Sequence, residues 1–202
     1  MYNFRAEPDR IKCLLETGVD VCNVANNHIL DFSFEGMRET LAVLHENEIH
    51  SIGAGDHWKD AATPVILERK GLRVGFIGCT DNEPGSKAGV DVFHGHSAHI
   101  FQGIEVYAGG VILYDTGDFV DDYAVDSSRR NDWSVLYRLT LSDDQVQGLE
   151  LIPARIEHKQ VNQAPPTDRQ KILHRLLRLS KPFETKIEEH NHRIFVRFPD
   201  AE

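Results

Sequence analysis

This sequence is short of cysteine, of positive charge and of long apolar runs. Its three cysteines, Cys13, Cys22 and Cys79, are odd in number, widely spaced and form no C-x-x-C pair. That spacing excludes a disulfide framework and a cysteine zinc site, and the three read as core thiols. Lys and Arg number 22 against 32 Asp and Glu, a formal net charge of -10. Such a balance disfavours nonspecific binding to nucleic acid or to an anionic membrane, because phosphate is held by Lys and Arg. A polyanionic ligand would need local help, such as a metal ion. No run approaches the roughly 18 apolar residues of a membrane helix. Residues 1–7 lack the basic-then-apolar pattern of a secretion signal, so a reducing cytoplasm is the default expectation. No internal repeat is visible.

What the chain does have is an ordinary globular composition, 41% hydrophobic and 27% charged over 202 residues. That is enough chain to bury a core, and the expectation is a single domain over 1–202, with 167–202 a C-terminal helix and strand extension. Residues 8–17 predict a helix, with Pro8 in its first turn and Gly18 as the stop. A strand follows at 19–24. Phe34, Met37, Leu41 and Leu44 recur at helical spacing, predicting a helix to about Asn47 capped by Ser33 or Asp31. Further on, 64–68 with 72–77, 103–107 with 111–114, and 133–141 with 149–156 read as hairpins. Residues 81–87 are loop chemistry, Pro165-Pro166 is the one plausible linker, 168–179 a helix and 193–198 a closing strand. The fold class that results is α/β, with mixed sheets flanked by helices.

Two segments carry chemistry. Ala25-Asn26-Asn27-His28-Ile29-Leu30-Asp31 follows a buried strand and delivers an amide, an imidazole and a carboxylate to one loop. Asn and His are poor strand-core residues, yet both can donate to a divalent metal or contact a phosphate. The run 89–93 ends in His94-Gly95-His96-Ser97-Ala98-His99, three imidazoles within six residues, and Gly95 would permit close backbone approach to a ligand. The third run, 111–114, ends in Asp115-Thr116-Gly117-Asp118, as expected where a site lies beyond the carboxyl ends of strands. One shared site is the expectation, with an imidazole placed to protonate a leaving group. The Asp-rich run from Asp115 to Asp126 lacks EF-hand spacing and reads as a solvated turn supplying at most one site carboxylate. His57 and the His190-Asn191-His192 tip read as surface.

At these residues the chain resembles the poly-γ-glutamate capsule biosynthesis (CapA) family, whose domain is similar to the calcineurin-like metallophosphatases. The resemblance rests on 25–31, Gly53-Ala54-Gly55, Val74-Gly75-Phe76-Ile77, the run from Gly95 to Glu105, and Tyr114-Asp115-Thr116-Gly117-Asp118-Phe119, and covers about 4–160. It implies an abridged four-layer metallophosphatase-like fold. It also implies Asn27, His96 and His99 as metal ligands and His28 as the acid or phosphate-contacting imidazole. Asp118 is the carboxylate expected to join these ligands, and Asp31 is expected to be catalytic together with His28. The implied cofactor is a divalent transition metal, manganese, iron or zinc, and the implied ligand a phosphoester or a polyglutamate-related substrate.

Two family elements have no counterpart here: an opening strand ending in Gly-Asp, and a His-Trp-Gly segment expected between Cys79 and Val90. Without those donors, affinity for two cations should fall steeply. The expected function is therefore capsule or exopolymer synthesis with weakened or lost phosphoesterase chemistry. A noncatalytic scaffold or binding domain and a single-metal hydrolase stay open beside it. Uncovered sheet surface near Val74, Phe76 and Val92 is expected to be exposed or to drive self-association.

Overall fold

The computed structural model describes residues 3–79, 90–121, 123–142 and 145–198. It is a mixed α/β structure of several sheets flanked by helices, in two compact units, Met1–Pro84 and Gly85–Glu202. The expected loop at 81–87 lies outside the described residues.

In the first unit, a 3-10 turn at Pro8–Ile11 runs into helix α1, Lys12–Thr17. Gly18 ends it in the left-handed conformation (φ 71°), which costs a glycine nothing, and its N–H reaches the Leu15 carbonyl. Strand β1 (Val21–Asn23) pairs in parallel with β2 (His50–Ile52), and helix α2 (Ser33–Glu46) makes the crossover that parallel strands require. Leu44 of α2 is buried with Val24 and Ile49, and Leu41, Ile11, Leu14 and Cys22 pack around them. Cys22, partly buried against this cluster, is the core thiol that was expected, but Cys13 and Cys79 are exposed: in α1 it is Leu14, not Cys13, that packs against the buried residues. After the short helix α3 (Trp58–Ala61), β3 (Val65–Arg69) and β4 (Leu72–Phe76) form the expected hairpin. Its two-residue turn, Lys70 and Gly71, sits at positive φ, which matches the strand twist. Val74 and Phe76 are half-buried, and the exposed apolar side chains beside them are Ile66 and Ile77.

The second unit begins with a three-stranded sheet. Strand β5 (Val92–His94) runs parallel to β7 (Gly110–Leu113), and β6 (Ile104–Tyr107) runs antiparallel to β7 on its other side. Every residue of β7 is buried, as befits a central strand. Strands β8 (Trp133–Ser142) and β9 (Gln145–Glu157) form a long hairpin, extended by β10 (Gln160–Gln163). The polar sequence of β10 carries too little apolar alternation to be read as a strand; its pairing with β9 makes it one. Helix α4 (Pro166–Ser180) follows, with Pro166 in its first turn, so the expected linker is a helix start. The hairpin β11 (Ile187–His190) and β12 (Arg193–Val196) joins the sheet through β12 on β9, with Asn191 and His192 at its tip as expected. Ile172 and Leu176 of α4 are fully buried against Phe101, Leu113, Leu149, Leu151 and Ile194. Each such side chain contributes about 1.5–3 kcal/mol by leaving water. The C-terminal segment is therefore part of this unit's core.

Candidate functional site

The candidate residues fall into both units: Asn27, His28 and Asp31 in the first, His96, His99 and Asp118 in the second.

In the first unit, the end of β1 is folded into consecutive side-chain turns. Asn23 Oδ1 accepts the Ala25 N–H at 3.0 Å, and Asn26 Oδ1 accepts the His28 N–H at 2.8 Å. A glycine is required opposite this turn. Gly53 sits at φ 88°, where a Cβ would lie 2.4 Å from the Ala25 Cβ, so Gly53 serves close packing under the loop. His28 Nδ1 lies 2.9 Å from Asp31 Oδ2, and Asn27 Nδ2 lies 3.1 Å from His28 Nε2. An amide nitrogen can only donate, which makes Nε2 the acceptor and puts the ring proton on Nδ1, facing Asp31. Asp31 also accepts the Phe4 N–H at 2.8 Å, and the Phe4 ring meets the His28 ring edge-on at 4.6 Å. The Phe4 amide, with help from His28, holds the Asp31 carboxyl below the usual carboxylate range despite its partial burial. Asp31 is consequently not the cap of α2. Its oxygen faces the imidazole and Phe4, and although Ser33 Oγ accepts the Glu35 N–H at 3.3 Å, the N-cap residue is Phe32, which makes no side-chain cap bond, so neither expected residue caps α2.

In the second unit, the loop between β5 and β6 is tied to the end of β7 through Asp115. Asp115 is buried (4% exposed), and its carboxylate accepts the Ala98 N–H and the Gly117 N–H, both at 2.7 Å. The sequence reading placed Asp115 in a solvated turn; it is the buried anchor of the histidine loop. The legible signal was Asp115-Thr116-Gly117, an aspartate two residues before a glycine that takes positive φ. Gly95 also differs from its expected role. A Cβ there would sit 2.1 Å from the Tyr114 carbonyl oxygen, so this glycine lets two strand ends meet and is not an approach for a ligand.

His99 is presented from a left-handed backbone (φ 60°), and its Nδ1 lies 3.0 Å from Asp118 Oδ1. The Tyr123 ring stands edge-on to it at 5.2 Å. His96 Nδ1 is 2.9 Å from Ser97 Oγ, and His94 Nε2 is 3.0 Å from Thr116 Oγ1. Asp121 was not singled out as a site residue from sequence. Burial, then the hydrogen bond and charge of Asp118, push its carboxyl up to about 6. The carboxyl pair Asp118 and Asp121 therefore sits directly behind His99. Among the described residues, no group of three or more His, Cys, Asp or Glu side chains is gathered to hold a metal ion. His28, His96 and His99 each have a ring nitrogen engaged by a protein partner, which orients the rings and does not by itself exclude ligation through the other nitrogen; what a preformed metal centre lacks, among the described residues, is a third gathered donor.

With this geometry in view, comparison with known proteins places the chain in a family. The model of the bacterial capsule synthesis protein PGA_cap matches residues 1–88 and 85–123, and the chain belongs to that family. A probable polyglutamine synthesis accessory protein of Mycobacterium tuberculosis is 26% identical over 262 residues, covering 91% of this chain and 68% of the relative. The PGA biosynthesis protein CapA of Bacillus subtilis is 24% identical over 249 residues (93% of this chain, 64% of the relative). The capsule biosynthesis protein CapA of Bacillus anthracis is 25% identical over 214 residues (75% of this chain, 51% of the relative). The chain thus spans between half and about two thirds of these relatives. Each alignment is longer than the 202-residue chain, so the relatives carry residues inside the matched region that this chain does not have. The family match falls into two pieces that meet at 85–88, in the interval where the resemblance predicted an internal loss.

Proposed function

We propose that this chain acts in the synthesis of a bacterial polyglutamate-type capsule or related exopolymer, as an accessory domain whose two imidazole loops engage a phosphoester or polyglutamate-related ligand. One observation carries this reading: the family match over 1–88 and 85–123 encloses all of Asn27, His28, Asp31, His96, His99 and Asp118. The geometry supports a defined part for the first loop. Asp31 stays ionised and holds the Nδ1–H of His28, which leaves the basic lone pair on Nε2 beside the Asn27 amide. An imidazole so oriented can accept a proton from a ligand or return one to a leaving group. The small number of gathered donors for a metal ion among the described residues favours ligand binding with little or no hydrolysis. A single divalent transition metal, manganese, iron or zinc, held weakly at His99 and Asp118, is the form in which phosphoesterase-like chemistry would persist.

The test is complementation. The chain is expressed in a Bacillus subtilis strain lacking its CapA, and polyglutamate released into the medium is measured. The expected result is partial recovery of polymer, abolished by His28→Ala and by Asp31→Asn and unaffected by His190→Ala. Recovery that is indifferent to His28 would sink the role of the imidazole, and no recovery from a stably expressed chain would sink the capsule reading.

A further inference from the structure

The loop before β8 is braced more completely than a connection requires. Asp126 Oδ1 accepts the Ser128 N–H at 2.8 Å, the Ser128 hydroxyl at 2.6 Å and the Arg129 N–H at 3.1 Å. Asn131 Oδ1 accepts the Asp126 N–H at 2.7 Å, the Arg130 N–H reaches the Asp126 carbonyl at 2.6 Å, and Arg175 donates to the Arg129 carbonyl at 2.7 Å. Arg130 is held at φ 53°, an uncommon backbone for a side chain of that size. Against this fixed backbone, the Arg129 side chain is 74% exposed and approaches Asp126 only at 3.7 Å. The guanidinium is thus the least committed polar group of a loop whose backbone is already braced, so a ligand contact orders the arginine side chain without ordering the loop.

Arg129 does not stand alone. It lines a cleft of about 220 Å³ together with His99, Tyr123, Asp126 and Asn131. The Nδ1–H of His99 is directed at Asp118, so in the neutral ring Nε2 carries the lone pair and is an acceptor. Asp126 is a carboxylate in the same cleft, but its Oδ1 is surrounded by the loop's own donors. One available guanidinium on a braced backbone and one acceptor on a shared wall select a ligand with an oxyanion next to an O–H or N–H.

We propose that this cleft is a subsite for a single oxyanion, a carboxylate or a phosphate, gripped by Arg129, with His99 Nε2 accepting a hydrogen bond from a donor the ligand carries beside it. The planar guanidinium fork suits two oxygens of either group. The donor is the P–OH of a hydrogen phosphate or the amide N–H of an N-acylated amino acid. This inference rests on the reading of the His99 loop as part of a functional site, and it adds Arg129 as the residue that selects for charge.

The test follows the Arg129 Nε–Hε resonance and the His99 ring by NMR in the full chain during titration with inorganic phosphate, with N-acetylglutamate and with neutral glutaramide. The expected result is a saturable shift at both residues with at least one oxyanion and none with glutaramide. Arg129→Gln should weaken binding at least about tenfold, while Arg73→Gln, an equal charge change on exposed β4, leaves it unchanged. A shift with phosphate alone assigns a phosphoester ligand, and one with N-acetylglutamate alone assigns a glutamyl ligand. A shift with both assigns the shared oxyanion chemistry. No saturable shift with either, or equal loss in the two variants, overturns the proposal. A chain that binds but restores no polymer keeps the subsite and loses the capsule reading. Polymer recovery without any shift at Arg129 loses the subsite alone.

Discussion

The Asp115 carboxylate accepts the Ala98 N–H at 2.7 Å across seventeen residues of chain. That bond, with its counterpart at Gly117, ties the histidine loop to the end of the central strand β7. Both donors lose their partner if the carboxylate is removed, and charge-assisted bonds to buried groups are among the stronger ones. Asp115→Ala is expected to destabilise the second unit by about 3 kcal/mol. Urea unfolding followed by the fluorescence of Trp133 checks this, and a cost near zero would show that the loop has another anchor.

Gly95 and Gly75 make a matched pair. A Cβ at Gly95 would press on the Tyr114 carbonyl, whereas one at Gly75 meets nothing within 4 Å. Gly95→Ala should cost about 3 kcal/mol through backbone displacement. Gly75→Ala should be neutral or stabilise by about 0.5 kcal/mol, because it restricts the unfolded chain. Thermal melts of the two variants side by side decide the matter.

Acid stability should depend on Glu150. Arg193 first, and then Arg138, hold its carboxyl down at about 2, against an ordinary value of 4.5. A carboxyl depressed in the folded state contributes stability that is fully present above its unfolded value and is lost as pH falls through the folded one. Between about pH 4.5 and 2 the native protein should therefore lose stability progressively. Glu150→Gln should be less stable at neutral pH and should lack that component of the acid decline. Urea midpoints measured from pH 7 to 2 would show a parallel decline in both proteins if this is wrong.

Purified protein is expected to retain at most one transition metal per chain after dialysis, and to turn over a chromogenic phosphodiester slowly or not at all with manganese, iron or zinc. The physical reason is charge: two closely spaced cations need carboxylate charge between them, and no group of three acidic, His or Cys side chains is gathered among the described residues. Metal analysis finding two tightly held ions, with turnover abolished by His28→Ala, would establish a working binuclear enzyme.

Association is expected through the first unit, where Phe32, Phe34, Ile66 and Ile77 are each 43–59% exposed. Exposed apolar side chains on and beside a two-stranded sheet and at the start of α2 favour pairing with another chain. Light scattering over a concentration series should show growth of a larger species. A monomer at high concentration would remove this expectation.

Much of the architecture was legible because it is locally encoded. Gly18 stops α1, Phe34 to Leu44 repeat at helical spacing along α2, and Lys70-Gly71 and Asn191-His192 turn their hairpins. The histidine segments stood out for a similarly local reason, since few strand ends carry such residues without a ligand or a turn to make. None of this required knowledge of what lies across space.

Tertiary structure alone decided the roles of individual side chains. Asp31 could have capped α2, and it faces His28, its near neighbour, because the Phe4 amide, far away in sequence, comes to the same carboxylate and holds it there. Asp115 looked like one acid among several, and only the return of the 95–102 loop over β7 buries it and makes it the anchor. Gly95 and Gly53 serve backbone contacts with Tyr114 and Ala25, partners that sequence spacing does not reveal. Strand β10 exists because β9 offers it a hydrogen-bonding edge. Hydrophobic period and turn chemistry act between near neighbours and can be read along the chain. Burial, close approach and the charge environment depend on which distant segments meet, and that is settled only when the chain has folded.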